Sequence, residues 1–148
     1  MSIGYACLTV GVQNTGTKGC LLKNANEKKL AELIRYNLTS LKNIIDYDAN
    51  DVLLFRISSD IIPFGSSPAN TLQWRSVFKE DLSILGNSIR EAGIRVSMHP
   101  GQCTVLNSPD RQVAERAVDD LAYHNYAAPI HFLHLLRAPR IKTVRIPH

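Results

Sequence analysis

The sequence predicts an α/β protein made of three successive strand–helix units with parallel strands. Three observations carry this expectation. Short runs of apolar and β-prone residues alternate with longer segments whose apolar residues recur at helical spacing. The resulting order, β-α-β-α-β-α, is the mark of parallel crossover units. Polar, irregular stretches gather after each strand, whereas the returns leading into the next strand are short.

"IGYACLTV" (residues 3–10) reads as the first strand, and the polar, glycine-containing "QNTGTKG" follows it. In "NANEKKLAELIRYNLTSLKNIIDYDAND", Leu30, Ile34, Leu38, Leu41 and Ile45 make a helical stripe. Asn24 with Glu27 three residues on resembles a capping box, and Asn26 is the alternative cap. "DVLLFRISS" (51–59) is the second strand, nearly continuous in apolar residues as when both faces are covered.

"IIPFGSSPAN", with two prolines and a glycine, must be a loop. A second helix runs through Leu72, Trp74, Phe78, Leu82, Leu85 and Ile89, and Gly93 stops it. "IRVSM" (94–98) is the third strand, and "HPGQCTVLNS" the loop after it. Ser108 is placed to cap a third helix, with Pro109 in its first position and Asp110 in its first turn. Pro129 should end or kink that helix.

A chain of 148 residues, 45% apolar and 20% charged, suits one soluble globular domain with a sizeable core. No apolar run approaches the roughly 20 residues of a membrane span. The N-terminus lacks the basic start of a signal peptide, so a cytoplasmic location is expected. Cys7, Cys20 and Cys103 are odd in number and form no CxxC pair, which argues against a disulfide framework and a structural zinc knot. The net charge of +4 resides in the end of the chain: Arg137, Arg140, Lys142 and Arg145 lie in the last twelve residues, which hold no acid. The remainder carries 13 basic and 13 acidic residues, so the body is neutral and no basic nucleic-acid footprint is implied there.

No GxGxxG follows the first strand and no GxxxxGK[ST] occurs, which disfavours the nucleotide-binding versions of α/β architecture. Long polar loops at the C-terminal ends of the strands are how a (β/α) barrel builds its site. A closed eight-unit barrel needs about 250 residues, so three units correspond to part of one.

His99, at the end of the third strand, is the foremost candidate for chemistry, because a strand end aims a side chain at a barrel mouth and a neutral imidazole can bind a metal. Pro100 and Gly101 would turn the chain sharply behind it. A histidine merely hydrogen-bonded into that turn is the commoner circumstance. Tyr5, Arg56, Ser58, Ser59 and Asp60 put further polar groups on the first two strands. Arg56 more readily pairs with a carboxylate than with substrate, and Asp60 could be a ligand or a turn residue. His131 and His134 form an HxxH pair without the glutamate or third ligand of a zinc protease, so an ordinary helical face accounts for them. His124 reads as a packed or capping residue.

"IGYA", "LFRISSDIIPFGSS", "VSMHPGQ" with "TVLNSP", and "DLAYH" occur in an order and at spacings that resemble the UV damage endonuclease (UVDE) family, over roughly residues 3–124. The resemblance implies a TIM-barrel DNA repair nuclease, dependent on a divalent metal, usually manganese. Such a nuclease nicks damaged double-stranded DNA on the 5′ side of ultraviolet photoproducts and leaves a 3′-hydroxyl. It implies that His99 is a metal ligand, that Gln102 and Cys103 probe the duplex opposite the flipped lesion, and that Tyr5 lines the lesion pocket. The implied chemistry is phosphodiester hydrolysis, with metals generating hydroxide and stabilising the leaving oxygen.

This sequence departs from the family pattern in three places. Cys103 stands where an aromatic is usual, losing base stacking of about 1–3 kcal/mol. Ser66-Ser67 stands where the family reads Ser-His. The strand ending in His-Gly-Gly, due about eighteen residues after "AYH" by the family's spacing, is replaced by "NYAAPIHFLHLLRAPRIKTVRIPH". His148 is spaced too far on to be that ligand.

Residues 1–128 are therefore expected to be the N-terminal part of an endonuclease barrel. Residues 129–148 are expected to be a divergent basic tail, compatible with a frameshift or aberrant end. On its own such a chain is expected to be inactive. Two other classes compete: a non-catalytic partial barrel that assembles with itself or a partner, and a metal-dependent, sugar-isomerase-like barrel enzyme.

Overall fold

The computed structural model of the chain describes residues 4–7, 9–49, 51–98, 100 and 104–127. Strands β1 (Gly4–Ala6), β2 (Leu54–Ile57) and β3 (Arg95–Met98) form a parallel sheet in the order β1-β2-β3. Helices α1 (Glu27–Asp48), α2 (Trp74–Val77), α3 (Lys79–Glu91) and α4 (Arg111–Ala127) occupy the connections and follow the last strand. Sequential parallel neighbours joined by right-handed crossovers put their helices on one side of the sheet, and α1 and α3 do pack together there.

The core lies between this helical layer and the sheet. Phe55, Ile57 and Val96 project into it from the strands, and Ile34, Leu38, Leu41, Ile44, Ile45, Phe78, Leu85 and Ile89 meet them. Tyr5, in register with Phe55 and Val96, completes this side, its ring edge-on to Phe55 at 5.3 Å between centroids. The alternate residues, Gly4, Ala6, Leu54, Arg56, Arg95 and Ser97, form the opposite face and are exposed. The apolar run of β2 therefore does not mean two covered faces among the described residues, since Leu53 and Leu54 are 54% and 42% exposed. Gly4 lets β1 approach β2 closely, because a Cβ there would lie 2.5 Å from Leu54 Cβ and its carbonyl oxygen.

Each strand is shorter than its apolar run. β1 stops at Ala6 because Cys7 turns into the left-handed region (φ 65°), although its N–H still reaches the Arg56 carbonyl at 2.8 Å. β2 starts only at Leu54 because the N–H groups of Asp51 and Val52 bond back to the Asp48 carbonyl, closing the end of α1. Asn26, extended at φ −104° and ψ 161°, is the cap of α1, accepting from the Lys29 N–H at 2.9 Å. Asn24 instead belongs to a 3₁₀ turn, Leu22–Asn24.

The single helix expected after the second strand is broken at Phe78 (φ −107°, ψ 19°). Glu80 and Asp81 place negative charge in the first turn of α3, where the unpaired N–H groups of a new helix favour it. The apolar stripe continues across the break because Trp74, Phe78, Leu85 and Ile89 all remain buried. Gly93 (φ 66°) ends α3 as expected: its N–H bonds to the Arg90 carbonyl and that of Ile94 to the Ile89 carbonyl, a Schellman closure. At α4 the cap is Asp110 rather than Ser108. The Asp110 carboxylate accepts from the Gln112 N–H at 2.8 Å, while Ser108 Oγ accepts from the Asp110 N–H one turn earlier. Charge at a helix N-terminus favours the carboxylate over the hydroxyl.

Candidate functional site

With all three strands parallel, their C-terminal ends deliver the loops that follow residues 6, 57 and 98 to one edge of the sheet. A cleft of about 490 Å³ opens there, walled by Thr17–Cys20 after β1, Ser59–Ser67 after β2, and Asp120 and Tyr123 of α4.

Asn37, fully buried on the apolar stripe of α1, sets the distance between the first two walls. Its Oδ1 accepts from the Lys18 N–H at 2.8 Å, and its Nδ2 donates to the Lys18 carbonyl at 3.0 Å and the Ile61 carbonyl at 3.1 Å. One carboxamide thus satisfies backbone groups of two loops that would otherwise be buried unpaired. Lys18 lays its ammonium over the Tyr36 ring, 3.9 Å from the centroid. Ser58 accepts from the Asp60 N–H, so it shapes a turn, while the Asp60 side chain is exposed on the cleft wall.

The third wall belongs to the "DLAYH" segment. Tyr123, 3% exposed, donates its hydroxyl to the Ser59 carbonyl at 2.9 Å, and its burial pushes that phenol's pKa upward. Its ring packs edge-on to Trp74 and so close to Gly65 that a Cβ at Gly65 would collide with it. Asp120 accepts from Ser66 Oγ at 3.1 Å through Oδ1 and from Thr104 Oγ1 through Oδ2. His124 is packed, as expected from the sequence. Its Nδ1 lies 2.6 Å from the Asp120 carbonyl, which can only accept, so Nδ1 is the donor of this bond. Nε2 is buried without a hydrogen-bond partner among the described residues.

Of the residues that the family resemblance assigns to metal or DNA, Tyr5 is the one whose side chain is described. It lies on the helical side of the sheet, half-buried, donating to Asp48 Oδ1 at 2.7 Å and paired with Thr9 Oγ1 at 2.5 Å. Burial raises its pKa to about 12, and the Asp48 carboxyl, also desolvated, is held above its ordinary value. Arg56 projects from the open face with no carboxylate partner among the described residues. Cys7 and Cys20 are free thiols. His99, Gly101, Gln102, Cys103, Pro129, His131, His134, His148 and the basic tail all lie outside the described residues.

Asn37 was not singled out by spacing or motif, and Ser66 and Asp120 entered only as members of the "PFGSS" and "DLAYH" segments, with no role given to either. The signal for Asn37 is a carboxamide inside an apolar helical stripe, a position that demands partners. Ser66 and Asp120 are 54 residues apart, and no local pattern joins them.

The family model described as UV-endonuclease UvdE matches residues 1–139. The chain belongs to this family. A UV DNA damage endonuclease of Clostridium perfringens is 40% identical over 125 residues, covering 84% of this chain and 30% of that protein. One of Bacillus cereus is 33% identical over 105 residues, covering 70% of this chain and 33% of that protein. The solved structure described as "Crystal Structure of SacUVDE" superposes with a TM-score of 0.83 at 33% identity, over 88% of this chain and 45% of that one. The chain thus spans about a third of the length of the curated relatives and under half of the crystallised one. The family match runs past residue 128, where the sequence suggested a boundary.

Among the described residues no three His, Cys, Asp or Glu side chains group as a metal centre. They do not by themselves fit a catalytic metal. Among the same residues no helix is long and apolar enough to cross a membrane.

Proposed function

We propose that this chain supplies the first three strand–helix units of a cytoplasmic (β/α) barrel enzyme that repairs DNA. Its substrate is damaged double-stranded DNA, nicked on the 5′ side of ultraviolet photoproducts by divalent-metal-dependent hydrolysis, with manganese the expected ion. The observation that carries this reading is the family match over residues 1–139. The sheet supports it: strands in the order β1-β2-β3 with helices on one side are the beginning of a barrel wall, and the open face is its inner surface.

On this reading His99, the residue after β3, is a metal ligand. Gln102 and Cys103 follow as the pair that probes the duplex. Extruding a damaged base costs less than extruding a paired one, which favours lesions over intact sequence. Tyr5 borders the lesion pocket. Its hydroxyl is already engaged by Asp48 and Thr9, and one edge of its ring lies against Phe55 on the helical side of the sheet.

The ligands that complete the metal centre are assigned to strands that the longer relatives possess, so the 148-residue chain alone is expected to be inactive. Incubated with manganese and an ultraviolet-irradiated supercoiled plasmid, the chain should leave the plasmid intact. It should bind a duplex carrying a photoproduct more tightly than the undamaged duplex. Efficient nicking would overturn the inactivity, and equal affinities would overturn the repair reading.

The unpaired outer edges of β1 and β3 among the described residues favour a second reading, a partial barrel that assembles with another chain. A monodisperse monomer in light scattering counts against it.

A further inference from the structure

We propose that Asp120 is a positioning residue. Its carboxylate fastens the loop after β3 to the loop after β2, and so fixes the base of the segment that carries Gln102 and Cys103. The link to DNA rests on the repair reading above; the fastening itself does not.

The geometry is specific. Asp120 projects from α4 into the cleft and uses each carboxylate oxygen for a hydroxyl from a different loop: Oδ1 for Ser66, Oδ2 for Thr104. Thr104 follows Cys103 directly in the chain. No lysine or arginine pairs with this carboxylate among the described residues. His124 lies beside it, with Nδ1 3.6 Å from Oδ1. That imidazole is held by the Asp120 carbonyl, one turn back on the same helix, so the helix orients the carboxylate from its own side. Hydrogen bonds to a carboxylate are the stronger kind, which suits a group that holds two loops through neutral hydroxyls. Three residues on, Tyr123 adds a second tie to the loop after β2 through the Ser59 carbonyl. Asp120 is thus the point where the third wall of the cleft joins the loop after β2 and the loop after β3.

The test uses the full chain and three variants: Asp120→Ala, Asp120→Asn, and the pair Ser66→Ala with Thr104→Val. Amide hydrogen exchange is followed at residues 65–70 and 104–107, alongside affinity for photoproduct and undamaged duplexes. Asp120→Ala should speed exchange at both segments together by about tenfold, a local change of one decade in opening equilibrium. It should also lower the ratio of damaged to undamaged affinity. Asp120→Asn can still accept one hydroxyl and donate to the other, so it should restore much of both readouts. The hydroxyl-deleted pair should reproduce Asp120→Ala, and adding Asp120→Ala to it should change little more.

Unchanged exchange at residues 104–107 in both Asp120→Ala and the hydroxyl-deleted pair would overturn the fastening. Faster exchange with an unchanged affinity ratio would overturn its role in recognition. A parent chain that binds the two duplexes equally overturns the repair reading instead, while the exchange data still decide the fastening. If Asp120→Ala fails to fold, the hydroxyl-deleted pair and Asp120→Asn decide the matter.

Discussion

The two faces of the three-stranded sheet are built from alternate residues of the same strands, yet they obey different rules. On one face Phe55, Ile57 and Val96 are buried under α1 and α3, with Tyr5 beside them. On the other, Gly4, Ala6, Leu54, Arg56, Arg95 and Ser97 stand exposed. The buried face is specified by shape and apolar area, so substitutions there should register in folding stability. The open face contributes little to the stability of this chain and is free to carry charge. The candidate site sits at the rim where both faces end, held by polar side chains rather than by the core.

The largest expected effect comes from a residue of the buried face. Phe55→Ala should destabilise the chain by about 3–5 kcal/mol in urea denaturation, enough to unfold a marginal domain. Next is the polar tie at the rim. Asn37→Ala should cost about 1–3 kcal/mol, because it leaves the Lys18 N–H and the Lys18 and Ile61 carbonyls without their partner. Chemical denaturation measures the loss, and faster amide exchange at Lys18 would locate it.

A gain is expected at Asp48, which is fully buried at the C-terminal end of α1 with Oδ2 unpartnered among the described residues. Its carboxyl is held above the ordinary 3.8, mainly by desolvation and against the opposing hydrogen bond from Tyr5. The folded chain therefore holds this proton more tightly than the unfolded chain. The stability it contributes is complete below the ordinary value and is lost as pH rises through the raised one. Asp48→Asn removes the penalty at neutral pH, and its carbonyl can still accept from Tyr5. The variant should be more stable by about 1 kcal/mol at pH 7, with the advantage shrinking toward pH 4. Thermal melts across that range would show it, and a constant difference would refute the titration.

The smallest effect sharpens the contrast most. Leu54→Ser, on the open face of the same strand as Phe55, should change stability by no more than about 0.5 kcal/mol. A loss as large as that of Phe55→Ala would show that the open face is covered in solution.

Much of this was legible in the sequence, where local patterns sufficed. The stripe of α1, the stop at Gly93 and the alternation of three strands follow from periodicity and turn chemistry. The family motifs named the class. The competition between Asn24 and Asn26 for the α1 cap depended on which residue is extended, a fact of backbone geometry. The break at Phe78 hid inside an unbroken apolar stripe. The exposure of Leu54 could not be read from β2, because an apolar run looks the same whether one face or two are covered. The partnership of Asp120 with Ser66 and Thr104 depends on contacts across the fold, and single-sequence patterns are silent about those.

Asn37 has a consequence for how this protein can change over generations. Its carboxamide meets both the N–H and the carbonyl of Lys18, much as a neighbouring strand would. The long connection after β1 is thus moored to α1 at Lys18, and again at Asn14 through Asn43 Nδ2, while Val10, Leu21 and Leu22 are well exposed. Mutations can accumulate in those flanks without moving the wall of the cleft. A lineage could retune what this rim touches, one exposed position at a time, without refolding the scaffold beneath it.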